Sequence, residues 1–252
     1  MLKKIKIFLA LLIVMNLNVR AQTTPEKSYQ KLRQVWLAYN NQTRISRHWG
    51  GWLDLHLRTK DDFFDSLSQT IIRPGISYFF NDGNRITAGY AYVSIYPGDN
   101  HRNIARPEHR AWQQFQWFNK YSRLRTMQWV RLEERFRRKV LNDSTLAQGH
   151  NFNYRLRYNV LLQIPIRGSA PAKGGLSFIL NDEVHINFGK EVSNYFDQNR
   201  FFAGFAWHVS ATDNIQFGYM NQFQQLGGAN RYRSVQIARL YYFHNLDLRN
   251  TK

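Results

Sequence analysis

The chain has 252 residues, no cysteine and a formal net charge of +18 at pH 7. The absence of cysteine excludes a disulfide framework, a cysteine-ligated metal site and lipidation at an N-terminal cysteine. Aromatic residues are abundant, with 18 Phe, 14 Tyr and 7 Trp, while the mean hydropathy is only -0.54. This combination is compatible with a membrane β-barrel, because only every second residue of such a strand faces lipid.

The first 21 residues have the three parts of a secretory signal peptide. Three lysines at positions 3 to 6 precede an apolar run over residues 7–15, and Ala21 precedes the predicted cleavage site. The run is shorter than the roughly 20 residues of a membrane-spanning helix, although a retained N-terminal anchor is the alternative. Residues 1–21 contain four basic residues and no acid, so the single predicted domain, residues 22–252, keeps a formal charge of +14.

Alternation of apolar and polar residues predicts long β-strands. Over residues 151–165 the even positions from Phe152 to Ile164 are apolar, and the odd positions from Asn151 to Gln163 are polar except for Leu161. Ordinary strands have about five or six residues, whereas a tilted bilayer crossing takes about 9–11. Similar stretches separated by turn residues predict strands at about 32–41, 48–58, 69–80, 85–96, 108–119, 124–138, 151–165, 174–188, 199–210, 214–225 and 233–246.

The connections between these strands alternate in length. Tight turns are predicted at 81–84, 119–123 and 211–214, and long polar loops at 97–109, 139–150, 189–199 and 226–233. This asymmetry is typical of outer-membrane barrels, whose short turns are periplasmic. We therefore predict an all-β fold, an antiparallel up-and-down transmembrane β-barrel of ten to twelve strands. Bacterial single-chain barrels have even strand numbers, so eleven candidates imply either that the segment around Trp36 lies outside the wall or that a strand near the N-terminus is missing from the set.

The polar face of each strand must line the lumen, because lipid requires the apolar face. This assignment predicts a lumen charge network of Asp54, His56, Arg58, Arg131, Glu133, Arg135, Arg137, Arg155, Arg157, Glu183 and His185. Unpaired charge in a narrow interior is costly, so we expect Glu133 and Glu183 to lie among arginines. The favoured interpretation is a salt-bridged interior without catalytic chemistry.

Two segments carry a resemblance to a known family. They are "VWLAYNNQTRISRHWGGWLDLHLR" (35–58) and "RPGISYFFNDGNRITAGYAYV" (73–93). Over essentially all of residues 22–252 the chain resembles an uncharacterised family of Gram-negative outer-membrane β-barrels, known only as a domain of unknown function. The resemblance implies a fold and a location. It implies no activity and no functional residue, because neither segment is a catalytic motif.

His208 and Ser210 are the candidates for catalysis. The outer-membrane phospholipase and the lipid A deacylase use a His-x-Ser pair, in which the imidazole takes the hydroxyl proton. Those enzymes place the pair on the outer wall and follow it with Asn. Here Phe205 and Trp207 occupy the outer face, which directs His208 and Ser210 to the lumen, and Ala211 follows. A lipid-modifying hydrolase is therefore an alternative to a protein without enzymatic activity.

The sequence predicts no cofactor and no metal site. The histidines are scattered, with His56 beside Asp54 the only near pair on a strand face, and "DDFFD" (61–65) has the character of a solvated loop. The basic excess suggests contact with lipopolysaccharide phosphates rather than with nucleic acid, which an exported barrel would rarely meet. The candidate loop and rim residues are Arg102, Arg106, Arg110, Lys139, Arg231 and Arg233.

The pattern favours a small, monomeric outer-membrane barrel with a structural role, or one that binds or transports a small or lipidic ligand. Besides the hydrolase, a narrow anion-selective pore is an alternative, and it requires a water path past Arg135, Arg155 and Arg157. A soluble periplasmic β-sandwich or lipid-binding β-protein is the structural rival. It leaves the aromatic faces and the long strands unexplained.

Overall fold

The computed structural model describes residues 27–60, 62–98, 101–167, 172–227 and 230–249, so the predicted signal peptide lies outside the described residues. The described chain is all-β, and each of the eleven predicted strands is present. The strands are β1 (Ser28–Arg44), β2 (Trp49–Lys60), β3 (Ser66–Phe79), β4 (Asn84–Ile95), β5 (Arg106–Lys120), β6 (Arg125–Asn142), β7 (Thr145–Arg167), β8 (Leu176–Phe188), β9 (Phe196–His208), β10 (Asp213–Gln225) and β11 (Arg231–Asp247).

The strands form a closed barrel with one parallel seam. Each strand pairs antiparallel with the next along the chain, and the sheet closes by parallel pairing of β1 with β11. The seam is continuous from Ser28 opposite Arg231 to Arg44 opposite Asp247. An odd number of strands gives the first and last the same direction, so closure needs this parallel ladder. Trp36 is therefore in a wall strand, and both expectations drawn from the even-number rule are wrong for the described chain.

The two ends of the barrel differ. At one end, here the turn end, the strands are joined by residues 45–48, 80–83, 121–124, 168–175 and 209–212. At the other, the loop end, they are joined by 61–65, 96–105, 143–144, 189–195 and 226–230. Residues 139–150 do not form the predicted loop, because β6 continues to Asn142 and β7 begins at Thr145. These are the longest strands, with 18 and 23 residues, and they form an extended hairpin at the loop end.

The outward face carries large apolar side chains on every strand. Examples in chain order are Leu37, Leu55, Ile72, Tyr90, Phe115, Phe136, Leu156, Phe188, Phe201, Phe217 and Leu240. An apolar exterior of this extent is unfavourable in water. Among the described residues, no helix is long and apolar enough to cross a membrane.

Glycines let two large rings lie against the inner wall. Gly75 of β3 pairs with Gly89 of β4, and a Cβ atom at Gly75 would lie 2.9 Å from the indole of Trp112. Gly204 of β9 faces another glycine of β10, and a Cβ atom at Gly204 would lie 2.6 Å from the ring of Phe202. Both distances are too short for a side-chain carbon, so glycine is required where the wall and the ring approach closely.

One side of the lumen holds an apolar cluster beside the parallel seam. It consists of Trp36, Ile179, Phe202, Ala206, Met220, Val235, Ile237 and Tyr241. Leu161, the exception in the polar face of β7, packs against this cluster. The cluster buries apolar area against the strands that close the barrel, and this burial stabilises the closure.

Candidate functional site

The lumen brings the chemically active side chains together. All eleven residues of the predicted charge network face it. Nine of them are buried, and His56 and Arg137 are partly exposed where they line cavities. The period of two along each strand places them there. What the pattern leaves open is which charges meet, because this depends on the register between strands.

Glu133 of β6 is the centre of one cluster of paired charges. Arg155 lies opposite it on β7 and donates to its Oε2 from Nη2 at 2.5 Å and from Nε at 2.9 Å. Arg157 donates from Nη1 to Oε1 at 2.6 Å, and Arg110 Nη1 lies 3.9 Å from Oε2. The side chain of Glu133 is only 1% exposed. A desolvated carboxylate of this kind depends on its charged donors for its stability.

Glu108 of β5 is the centre of a second cluster. Arg110 donates to its two oxygens from Nε and Nη2, at 3.0 Å each. Arg135 of β6 donates to the same oxygens at 2.5 and 3.3 Å. Arg110, expected at the rim, is therefore a buried lumen residue. The prediction did not include Glu108. This residue lies on the same face of β5 as the inward-facing Trp112, so the alternation of the sequence could have identified it.

Glu183 of β8 connects to the first cluster through Arg157, whose Nε donates to Oε1 at 2.6 Å. Arg200 Nη1 lies 3.6 Å from the other carboxylate oxygen. His185 Nε2 lies 3.0 Å from Oε1, and Gln198 Nε2 lies 2.9 Å from Nδ1 of the same ring. The imidazole thus lies between a carboxylate and an amide. The charge network runs without interruption from β6 to β9.

A β-bulge brings one further carboxylate into the lumen. The ladder between β8 and β9 shifts register next to His185, which leaves Asp197 as an extra residue between Phe196 and Gln198. Asp197 accepts a hydrogen bond from Arg155 Nη1 at 3.2 Å. Strict alternation cannot find this residue, because the bulge places two successive side chains on the same face.

Five lumen arginines are held by amides and rings instead of carboxylates. Arg131 donates from Nε to Gln114 at 2.8 Å, and its guanidinium lies 4.6 Å from the ring centre of Trp112. Arg239 donates from Nη2 to Gln216 at 2.9 Å. Cation–π contacts orient a guanidinium without neutralising its charge. Within the described part of the chain, no carboxylate pairs with Arg58, Arg85, Arg131, Arg137 or Arg239.

Two cavities occupy the lumen. The loop-end cavity has a volume of about 690 Å³, and the turn-end cavity has a volume of about 340 Å³. The lining of the loop-end cavity contains twelve Lys and Arg side chains and one carboxylate, that of Asp197, so this cavity is strongly basic. Arg58 lines both cavities and lies 3.6 Å from the ring centre of Trp36. The wall that the cavities share consists of Trp36, Arg58, Arg73, Arg157 and Arg200.

The structure does not assemble the catalytic pair. His208 is buried and lines the turn-end cavity, where its Nε2 lies 3.0 Å from Gln163 Nε2. Ser210, expected in the lumen, lies in the turn after β9 and donates from Oγ to Asp213 at 2.5 Å. The strand ends at His208, so the i and i+2 relation that would align the two side chains is lost. The imidazole and the hydroxyl have different partners.

The remaining candidates divide between surface and lumen. Arg102, Lys139 and Arg231 are exposed at the loop end, whereas Arg106 and Arg233 line the loop-end cavity. In the part of the chain that the structure describes, no three His, Asp or Glu side chains are grouped to hold a metal ion. The groups described in the lumen are arginines, carboxylates, amides and aromatic rings.

The fold and the lumen define a closed, eleven-stranded β-barrel protein with a charged interior. A family model described as "Protein of unknown function (DUF2490)" matches residues 33–233, and the chain belongs to this family. This match confirms the resemblance inferred from residues 35–58 and 73–93. The family has no assigned function, so the lumen itself must provide the argument for one.

Two individual proteins are similar to the chain. An uncharacterized protein of Methylorubrum extorquens is 28% identical over 162 residues, a match that spans 62% of this chain and 64% of that protein. The structure of the NanC porin in a rhombohedral crystal form is similar with a TM-score of 0.44 and 9% identity, over 77% of this chain and 87% of that one. Neither similarity assigns a function to this chain.

Proposed function

We propose that the protein is a monomeric outer-membrane β-barrel whose lumen admits small anionic solutes from the loop end. The apolar exterior supports the membrane location, because each strand presents rings or aliphatic side chains where lipid would lie. The shortest strands have 12 residues, which exceeds the roughly 9–11 of a tilted crossing. The predicted signal peptide supports export.

The proposed orientation places the turn end in the periplasm and the loop end at the cell surface, as is usual for outer-membrane barrels. Because the seam is parallel, β1 would begin at the surface and β11 would end in the periplasm. Exposed Arg102, Lys139 and Arg231 would then lie beside the lipid headgroups. We include pairing of these side chains with lipopolysaccharide phosphates in the proposal.

The anion selectivity is supported by one observation, the five lumen arginines without carboxylate partners, of which all but Arg137 are buried. A buried charge without a counter-charge is costly, and a mobile anion reduces this cost. The basic lining of the loop-end cavity would raise the local concentration of anions at the entrance. A solute that moves on to the turn-end cavity passes Arg58 and Trp36 in the shared wall.

Planar-bilayer recordings of the mature, detergent-purified protein test this proposal. Under a KCl gradient we expect a current whose reversal potential has the sign of chloride selectivity. Arg131→Gln and Arg137→Gln each remove one unpaired lumen charge and are expected to lower the selectivity. Arg231→Gln makes the same chemical change on the exposed loop end and is expected to leave it unchanged. A current selective for potassium, or no current from a folded barrel, would contradict the proposal.

A further inference from the structure

We propose that the turn-end cavity binds a polyhydroxylated carboxylate, a small organic anion that carries several hydroxyl groups. The inference rests on the proposed function for the entry of an anion into the lumen. It adds the chemical class that the inner cavity selects. With a volume of about 340 Å³, the cavity falls within the roughly 300–1,000 Å³ of small-molecule sites.

The wall of this cavity contains polar atoms that no protein group satisfies. Among the buried side-chain atoms of the described residues that lack a partner, this cavity is lined by the donors Trp52 Nε1, Arg131 Nη1 and Arg239 Nε, the acceptors Asp54 Oδ1 and Asn159 Oδ1, and both ring nitrogens of His56. All six residues line the turn-end cavity. Unpaired buried polar atoms are exceptional in proteins. Their convergence from β2, β6, β7 and β11 on one cavity indicates a binding site.

The donors require a negative charge on the ligand. Arg131 and Arg239 have amides and rings as their protein partners, so each guanidinium keeps its full charge inside the barrel. A carboxylate accepts charge-assisted hydrogen bonds from such groups. The lining contains eight arginines against the carboxylates of Asp54 and Glu183, so a single added negative charge is favoured.

The acceptors require hydroxyl groups on the same ligand. Asp54 uses Oδ2 to accept from Arg73 at 3.0 Å and leaves Oδ1 without a donor. The amide oxygen of Asn159 also lacks a donor. A carboxylate ion or a chloride ion has no hydrogen to donate, whereas a hydroxyl group both donates and accepts. His56 can serve a hydroxyl in either role. A ligand with one carboxylate and several hydroxyls therefore matches the whole set.

Isothermal titration calorimetry on the detergent-purified barrel separates the two requirements. The probes are D-gluconate, hexanoate, which keeps the charge and the chain length without hydroxyls, and glucose, which keeps hydroxyls without the charge. We expect gluconate to bind at least about tenfold more tightly than either comparison compound, the effect of one well-placed hydrogen bond to a charged group. Equal binding of gluconate and hexanoate, equal binding of gluconate and glucose, or no binding of gluconate would overturn the inference.

Variants locate the site. Asn159→Leu removes a hydroxyl partner and leaves every charge in place, so gluconate should bind about tenfold more weakly while hexanoate is unaffected. Asn153→Leu is the matched control, because it makes the same change on the same face of β7 but lies outside the lining of the turn-end cavity, and it should leave gluconate binding unchanged. His56→Phe provides a second test if Asn159→Leu does not fold, as judged by heat-modifiable gel mobility. Unchanged gluconate binding in a folded variant contradicts the inference and leaves the chloride selectivity of the proposed function intact.

Discussion

Arg131 and Glu133 lie two residues apart on the same face of β6, and their surroundings differ completely. Glu133 is enclosed by arginines, and each hydrogen bond it accepts comes from a charged donor. Arg131 is held by an amide and two indole rings and keeps its charge. The lumen therefore has two classes of arginine. Carboxylate-paired arginines stabilise the barrel, and ring-held arginines leave positive charge available to a solute.

The largest effect is expected when a paired carboxylate loses its charge. Glu133→Gln leaves Arg155 and Arg157 buried with less negative charge, and we expect it to lower the free energy of unfolding by about 3–5 kcal/mol. Denaturant unfolding in lipid vesicles, followed by tryptophan fluorescence, measures this. Glu134→Gln is the matched control on the opposite face of the strand, with a small expected effect. A similar loss of unfolding free energy in both variants would show that the pairing of Glu133 in the lumen is not the cause of the destabilisation.

The same substitution is expected to have different effects in the two classes of arginine. Arg155→Met deprives both Glu133 and Asp197 of a donor, and we expect a loss of about 3 kcal/mol. Arg131→Met removes a charge with no carboxylate partner, so the free energy of unfolding should stay within about 1 kcal/mol of wild type or increase. Equal losses from the two variants, measured in the same unfolding experiment, would remove the distinction between the classes.

The sequence predicted more of the fold than of the site. Alternation located all eleven strands and the inward side of those that carry the predicted charge network, because both are local properties of the chain. The parallel seam is not local, since nothing in β1 indicates that its other neighbour is β11. The even-number rule therefore led to the wrong expectation that one of the eleven predicted strands lay outside the wall or that a further strand was missing. Arg110 was expected at the rim because the predicted strand begins only at residue 108, whereas β5 begins at Arg106.

Partner choice inside the lumen could not be predicted from one strand at a time. Arg155 meets Glu133 because the two face each other in the register of β6 and β7. Arg131 has no carboxylate partner, although it lies on the same inward face of β6 as Glu133. Asp197 was not predicted as a lumen residue because a β-bulge interrupts the alternation of inward and outward side chains in β9. The apolar cluster at the seam was missed because its residues come from five strands, each of which contributes only one to three of them.

A smaller effect is expected in that apolar cluster. Ile237 is fully buried in it, and Ile237→Val removes one methylene group from packed surroundings. We expect a loss of about 1 kcal/mol in the free energy of unfolding. Ile86→Val makes the same change on the outward face, where the side chain is 42% exposed and, in the proposed membrane location, lipid would fill the space. A larger loss at Ile86 would indicate that the seam contributes less to stability than the outer wall.

The smallest effect is expected where an ion pair of the same chemistry lies outside the lumen. Arg44 donates a hydrogen bond to Asp82 in the turn between β3 and β4, where the carboxylate is 83% exposed. This hydrogen bond lowers the pKa of Asp82 below its ordinary value of 3.8. The pair therefore contributes its stability at neutral pH and loses it as the pH falls through the lowered pKa.

Solvent screens the pair, so Asp82→Asn should change the free energy of unfolding by less than about 1 kcal/mol at neutral pH. The difference between wild type and variant should disappear in acid, where the carboxyl group is protonated. Unfolding measured across pH for this variant and for Glu133→Gln compares the two pairs directly. If the exposed pair cost as much to break as the buried one, burial among arginines would not be the property that separates the stabilising network from the rest of the charged side chains.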